Sequence, residues 1–201
     1  DAGKAAVTVQ GDHDAAIELD GDNELKSGSS NAGLEKNGNE SSGKLTIKDD
    51  NDTKGSLTAE GGKDGAGIGG GYESGAGNIE ITGGTINASS YDGSGIGSGD
   101  SAKGDTDIHI TNSDVTAKGF IDVRYVSHGT GIGSGINSSG KTTIDISGGT
   151  VKAMGSGDGY NGSAGIGSGS DSTGDTSITL RDGVTVTATG GGNSSLGGGG
   201  G

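Results

Sequence analysis

The sequence predicts an all-β fold, a single parallel, three-faced β-helix of about six turns. The first observation is a short phrase, Gly-Ile-Gly followed by a small residue and Gly, which occurs four times. Its isoleucines are Ile68, Ile96, Ile132 and Ile166, so consecutive copies lie 28, 36 and 34 residues apart. Repetition with a period of about 20–50 residues is typical of solenoids. The second observation is that two short segments with alternating apolar residues follow every copy, which gives each turn three strands.

The two alternating segments keep an almost constant offset. Ile79-Glu80-Ile81 and Ile86-Asn87-Ala88 start seven residues apart, and the next two copies repeat this spacing, whereas the last copy has eight. Gly and Asn between the segments suit a sharp corner, because they tolerate positive φ. Right-handed coiling is the default for parallel connections, and each turn should rise by about 4.8 Å. The expected inward columns are Ile68/Ile96/Ile132/Ile166, Ile81/Ile110/Ile146/Leu180 and Ile86/Val115/Val151/Val186.

One solenoid is expected to occupy residues 1–201. Residues 1–60 read as degenerate turns, 61–190 as regular repeats and 191–201 as a Gly-rich end. Leu34 stands where an isoleucine of the repeated phrase is expected. The other early strand candidates are Val7-Thr8-Val9, Ile17-Glu18-Leu19, Leu45-Thr46-Ile47 and Leu57-Thr58-Ala59.

Composition excludes two classes of partner. The chain has a net charge of −14, and its Lys and Arg residues form no cluster, which argues against nucleic acid. No apolar run approaches the roughly 20 residues that a membrane-spanning helix needs.

Only 26% of the residues are hydrophobic and 49 are Gly, a profile typical of disorder. The fixed spacing of the aliphatic residues indicates a stacked coil instead, since each turn is covered by its neighbours.

The few aromatic residues suggest a binding edge. Tyr91, Tyr125 and Tyr160 lie 34 and 35 residues apart, each between the second strand of a turn and the next Gly-Ile-Gly. Phe120 lies in the longest of these connections. Aromatic rings offer an apolar platform and, in tyrosine, a hydrogen-bonding hydroxyl, so this edge is expected to bind a polysaccharide or host glycan. The alternative is that the rings only fix long loops to the coil.

Acidic loops are the candidates for calcium. Ca²⁺ takes six to eight oxygen ligands, which closely spaced Asp and Asn can supply. No cofactor is expected to be required, and a solvated loop is the alternative at each place. The candidate ligands are Asp20, Asp22, Asp49, Asp50 and Asp52.

Other functions compete with glycan binding. A structural fibre or stalk subunit would associate through its ends or through a bare Gly-Ile-Gly face. A polysaccharide hydrolase would need two carboxylates, and Glu80 and Asp145 lie two turns apart, about 9.6 Å, with His109 between them. An ice-binding face would need a regular Thr array, which Asp114 and Lys152 interrupt.

The pattern resembles Gly-rich β-helix domains of secreted and cell-wall proteins of Gram-positive bacteria, and it is similar to the calcium-associated, carbohydrate-binding β-helix family of clostridia. The matching residues are Gly65–Gly71 with Asn78–Thr85 and the later copies from Gly95, Gly131 and Gly165, within roughly residues 45–190. The resemblance implies a secreted or cell-surface, non-catalytic module that holds plant or host polysaccharide, with calcium as an accessory ion.

Overall fold

The computed structural model describes residues 3–120, 127–157 and 161–192. Within these residues the chain forms eighteen strands and no helix, so this part contains no helix that could cross a membrane. The strands in chain order are β1 (Val7–Val9), β2 (Ala15–Glu18), β3 (Asp22–Lys26), β4 (Leu34–Lys36), β5 (Lys44–Lys48), β6 (Ser56–Glu60), β7 (Ile68–Gly69), β8 (Gly77–Thr82), β9 (Thr85–Ser89), β10 (Ile96–Gly97), β11 (Thr106–Thr111), β12 (Asp114–Lys118), β13 (Ile132–Gly133), β14 (Thr142–Ser147), β15 (Thr150–Met154), β16 (Ile166–Gly167), β17 (Thr176–Leu180) and β18 (Thr185–Thr189).

Every third strand belongs to the same sheet. Sheet I contains β1, β4, β7, β10, β13 and β16; sheet II contains β2, β5, β8, β11, β14 and β17; sheet III contains β3, β6, β9, β12, β15 and β18. The pairings within all three sheets are parallel. The predicted three-faced parallel β-helix of six turns is therefore confirmed, while its right-handed coiling stays a prediction.

The core consists of stacked aliphatic side chains in the predicted columns. Ile68 pairs with Ile96, and Ile96 pairs with Ile132, all three fully buried. Two further columns follow from the alternation within the predicted strands. One contains Ile79, Ile108 and Ile144, and the other contains Ala59, Ala88, Ala117 and Ala153. Because each buried residue lies between like residues of the neighbouring turns, a low apolar content is enough for a continuous core.

The first two turns join the same stack. Leu34 pairs with Ile68 as expected, and β5 and β6 coincide with the predicted early strands. The strand β3 was not predicted, because its sequence Asp-Asn-Glu-Leu-Lys contains one aliphatic residue. Pairing with β6 along five residues orders it nevertheless. Asp22 therefore begins a strand, and its expected place in an acidic loop is wrong.

Sharp corners connect sheets II and III, as the Gly and Asn residues predicted. Gly83 and Gly84 have φ values of 82° and 72°, and Asn112 has a φ of 51°. Two residues therefore suffice between β8 and β9, whereas the corner between β5 and β6 is longer.

Candidate functional site

Two aromatic side chains occupy the same position on neighbouring turns. The end of β9, Ser89, pairs with the end of β12, Lys118, and Tyr91 and Phe120 each follow two residues later. The ladder continues past the strand ends, because the Ser90 amide donates to Lys118 O at 3.1 Å. The strands that precede the two rings therefore lie one turn spacing, about 4.8 Å, apart. We call Tyr91 and Phe120, both half-buried, the aromatic edge.

This alignment differs from the one that residue spacing predicted. Counting residues grouped Tyr91 with Tyr125 and Tyr160, both of which lie outside the described residues. Counting from the strand ends instead groups Tyr91 with Phe120. The signal was present in the sequence, since both residues follow the second strand of a turn by the same distance.

Serine hydroxyl groups hold the connections at this edge to the backbone of neighbouring turns. Ser90 donates to Gly65 O at 2.5 Å, and Ser156 donates to Gly119 O at 2.5 Å. Ser127 in turn donates to the Ser156 hydroxyl oxygen at 3.0 Å. These contacts give the aromatic edge a fixed backbone, which limits the conformational entropy that a ligand would have to remove.

A groove of about 280 Å³ lies beside Phe120. Its described lining combines one aromatic ring, two serines and a run of glycines. The lining residues are Phe120, Ser127, Gly155, Ser156, Gly157, Gly190, Gly191 and Gly192. The glycines leave backbone amide and carbonyl groups uncovered by side chains, so the groove offers an apolar surface beside hydrogen-bonding groups. We call it the Phe120 groove.

The aromatic edge has an acidic neighbour that the sequence did not reveal. Asp92 follows Tyr91 directly, and Lys63 Nζ lies 3.4 Å from a carboxylate oxygen of both Asp92 and Asp64. Burial raises the pKa of Asp100, and the nearby carboxylates of Asp64 and Asp92 add to this effect. The three carboxylates come from three separate connections, with Asp64 and Asp92 at the same place in consecutive repeats.

The predicted calcium ligands lie elsewhere, and three of the five have protein partners. Asp22 accepts from the Ser56 hydroxyl at 2.7 Å, Asp49 accepts from the Gly55 amide at 2.8 Å, and Asp50 pairs with Lys48 at 2.7 Å. The side chains of Asp20 and Asp52 form no hydrogen bond or ion pair with the residues that the structure describes. Over the described ranges, no group of three or more His, Asp or Glu side chains is arranged to hold a metal. Calcium binding therefore stays a prediction.

The charged ladder on sheet II has the predicted register. His109 lies opposite Glu80 on one side and Asp145 on the other. Lys44 lies 2.5 Å from Glu80, and Arg181 lies 2.5 Å from Asp145. A hydrogen bond from Lys44 lowers the pKa of Glu80, and one from Arg181 lowers the pKa of Asp145. Both carboxyl groups are thereby held ionised.

The Gly-Ile-Gly face is not bare. Ser98 and Ser134, which follow two copies of the phrase, are buried, and so are the glycines around them. A Cβ atom on Gly95 would lie 2.7 Å from Gly131 O of the next turn. The glycines thus allow close stacking of the turns, and the expectation of a flat, open face is wrong. Self-association itself stays a prediction.

The comparison with protein families agrees with this architecture. Residues 53–72, 79–100 and 144–170 match a family described as a beta helix repeat. Each matched segment ends just beyond a short strand of sheet I, at β7, β10 or β16. These matches support a parallel β-helix family. No curated protein and no solved structure gave a significant match to the chain.

Proposed function

We propose that the chain is a non-catalytic, secreted or cell-surface module that binds polysaccharide at the aromatic edge. The observation that carries the proposal is that Tyr91 and Phe120 follow paired strands of neighbouring turns by the same number of residues, with Phe120 lining the Phe120 groove. Rings one turn apart can face successive parts of one extended glycan. Ring faces cover the apolar C–H surface of a sugar, and the serines and uncovered backbone of the groove offer partners for its hydroxyl groups.

The ionisation of the sheet II carboxylates supports a non-catalytic role. Hydrolysis of a glycosidic bond needs one carboxyl group that stays protonated as the general acid. Glu80 and Asp145 have lowered pKa values because of Lys44 and Arg181. The pair that was the best hydrolase candidate in the sequence is therefore in the wrong protonation state for that role.

Replacement of Phe120 by alanine is expected to weaken polysaccharide binding roughly tenfold, about 1.4 kcal/mol. Tyr91→Ala should act in the same direction, because its ring belongs to the same edge. Binding is measured by the retardation of the native protein in gels that contain a polysaccharide, with calcium and with a chelator. Loss of retardation in the chelator would show that calcium takes part.

Tyr72→Ala is the matched control. Tyr72 is 46% exposed and follows β7, at a different corner of the coil. It should lose no binding. Equal losses in Tyr72→Ala and Phe120→Ala, or full retardation of Phe120→Ala, would contradict the aromatic edge. If no polysaccharide retards the wild type and the protein instead forms concentration-dependent assemblies, the structural alternative is correct.

A further inference from the structure

We propose that the outer face of sheet III binds an anionic group of an acidic polysaccharide, at a site separate from the aromatic edge. A groove of about 290 Å³ lies over the first residues of β9, β12 and β15. Tyr91 and Phe120 follow the opposite ends of β9 and β12. We call this second groove the sheet III groove. Its lining residues are Thr85, Asp114, Val115, Thr116, Thr150 and Lys152.

Strand pairing brings these side chains together from three turns. Asp114 pairs with Thr85 on one side and with Thr150 on the other, and Thr116 pairs with Lys152. Paired residues lie about 4.8 Å apart, and residues two apart in a strand share one face of the sheet. An extended polymer that lies across the turns would therefore meet polar groups of all three strands.

The polar groups of the groove are available to a ligand. The Lys152 ammonium group and the hydroxyl groups of Thr85, Thr116 and Thr150 form no hydrogen bond or ion pair with the residues that the structure describes. An ammonium group has three donors, and a hydroxyl group both donates and accepts. Lys152 can therefore form a charge-assisted hydrogen bond with a carboxylate or sulfate, and the threonines can bind sugar hydroxyl groups beside it.

Asp114, the carboxylate in the described lining, has its own counter-charge. Lys54 Nζ lies 2.5 Å from Asp114 Oδ2. Lys54 comes from the corner between β5 and β6, and β6 lies two turns before β12 in sheet III. This ion pair leaves the positive charge of Lys152 uncompensated in the groove.

The middle of sheet III differs in charge from the chain as a whole. At the outward positions of β9, β12 and β15, the charged side chains are Asp114, Lys118 and Lys152, and Lys54 adds a third positive charge. The whole chain has a net charge of −14. Charges farther away than about 10 Å are largely screened at 0.1 M salt, so the local excess of positive charge favours an anion at this face.

The test uses three polymers that differ in their charged group. Polygalacturonate has carboxylates, dextran sulfate has sulfates, and hydroxyethyl cellulose is neutral. Gels that contain polygalacturonate or dextran sulfate should retard the wild type, and the stronger of the two identifies the preferred anionic group. Lys152→Met keeps an unbranched side chain and removes the charge, so it should weaken binding of that polymer about tenfold.

Two further variants separate this site from a general effect of charge. Lys141→Met removes the same charge from an exposed lysine in the connection before β14, and it should leave binding unchanged. Asp114→Asn should strengthen binding roughly two- to threefold, because it removes a negative charge and frees Lys54. Equal losses in Lys152→Met and Lys141→Met, or no gain in Asp114→Asn, would overturn the inference.

The outcomes also distinguish the sheet III groove from the aromatic edge. Retardation by an acidic polymer that Lys152→Met weakens and Phe120→Ala leaves intact would support the groove. Retardation that Phe120→Ala removes and Lys152→Met does not would overturn the inference and leave the proposed function intact, and so would retardation by the neutral polymer alone. Failure of all three polymers and of a wider polysaccharide panel would overturn both.

Discussion

Gly133→Ala is expected to lower the free energy of unfolding by more than about 3 kcal/mol, enough to unfold a marginally stable coil. Gly133 has a φ of 137°, which L side chains rarely adopt, and its Cβ atom would lie 1.9 Å from Gly167 O of the next turn. The two turns cannot separate locally. The Ser134 amide donates to the same Gly167 oxygen at 3.0 Å, and the Ile132 amide donates to Gly165 O at 2.9 Å.

Gly167→Ala is the matched control, because it shares the backbone conformation and lacks the close contact. Its φ is 135°, and its Cβ atom would meet only Ala164 Cβ at 3.4 Å and Ile178 Cδ1 at 3.7 Å among the described residues. It should cost about 1–2 kcal/mol, the strain of the conformation alone. Urea unfolding followed by far-ultraviolet circular dichroism measures both variants. Equal losses would show that strain, and not the spacing of the turns, explains the glycine.

This difference also shows why the sequence was misleading about the Gly-Ile-Gly face. Repeated glycines reveal that side chains are excluded, but they do not say by what. The excluding atoms are carbonyl oxygens of the next turn; for example, a Cβ atom on Gly97 would lie 2.0 Å from Gly133 O. That contact depends on a positive φ at Gly97, which glycine permits but does not require.

The regular turns were predictable because like residues stack on like. Ile108 and Ile110 lie between isoleucines of both neighbouring turns. Aligning the sequence repeats therefore gives the register in which strands of neighbouring turns pair. The first turn lacks this redundancy. Asn23 stands in the column of Leu57 and Ile86, and its side-chain amide donates to the Ser56 carbonyl oxygen at 3.0 Å. The pairing with β6, rather than the composition of β3, determines that strand.

The candidate site was predictable only in part. The sequence placed Phe120 and Tyr91 at one edge because both lie between the second strand of a turn and the next Gly-Ile-Gly, and their role in binding stays a prediction. Insertions of different length in the connections made residue counting unreliable beyond the strand ends. Asp64 and Asp92 stand at the same place in consecutive repeats, four residues before Ile68 and Ile96, whereas Asp100 joins them from a different connection that the repeat does not align with theirs.

Lys36→Met is expected to remove a rise in stability that the wild type shows at alkaline pH. The Lys36 side chain is fully buried. Its ammonium group donates to Ser41 O at 3.0 Å and to Ala76 O at 3.4 Å, and no carboxylate of the described residues forms an ion pair with it. Burial therefore lowers its pKa from the usual 10.5. Charge buried without a counter-charge is costly.

The direction of the pH dependence follows from proton binding. Between the lowered folded-state pKa and about 10.5, the unfolded chain holds the Lys36 proton and the folded protein does not. The contribution of Lys36 to the free energy of unfolding therefore rises with pH across this window and levels off above it. Each unit by which the pKa is lowered adds about 1.4 kcal/mol to the rise. Methionine has no proton to lose, so Lys36→Met should lack this contribution.

Lys44→Met provides a control of opposite sign. Glu80 raises the pKa of Lys44, first through a hydrogen bond and then through its charge. The stabilisation by Lys44 is fully present below about 10.5 and is lost as the pH rises through the raised folded-state pKa. Urea unfolding of the three proteins from about pH 7 to 11 measures the free energy of unfolding of each. The value for the wild type minus that for Lys36→Met should rise with pH, and the value for the wild type minus that for Lys44→Met should fall. A difference for Lys36→Met that does not change with pH would mean that the Lys36 ammonium group reaches water in the folded protein.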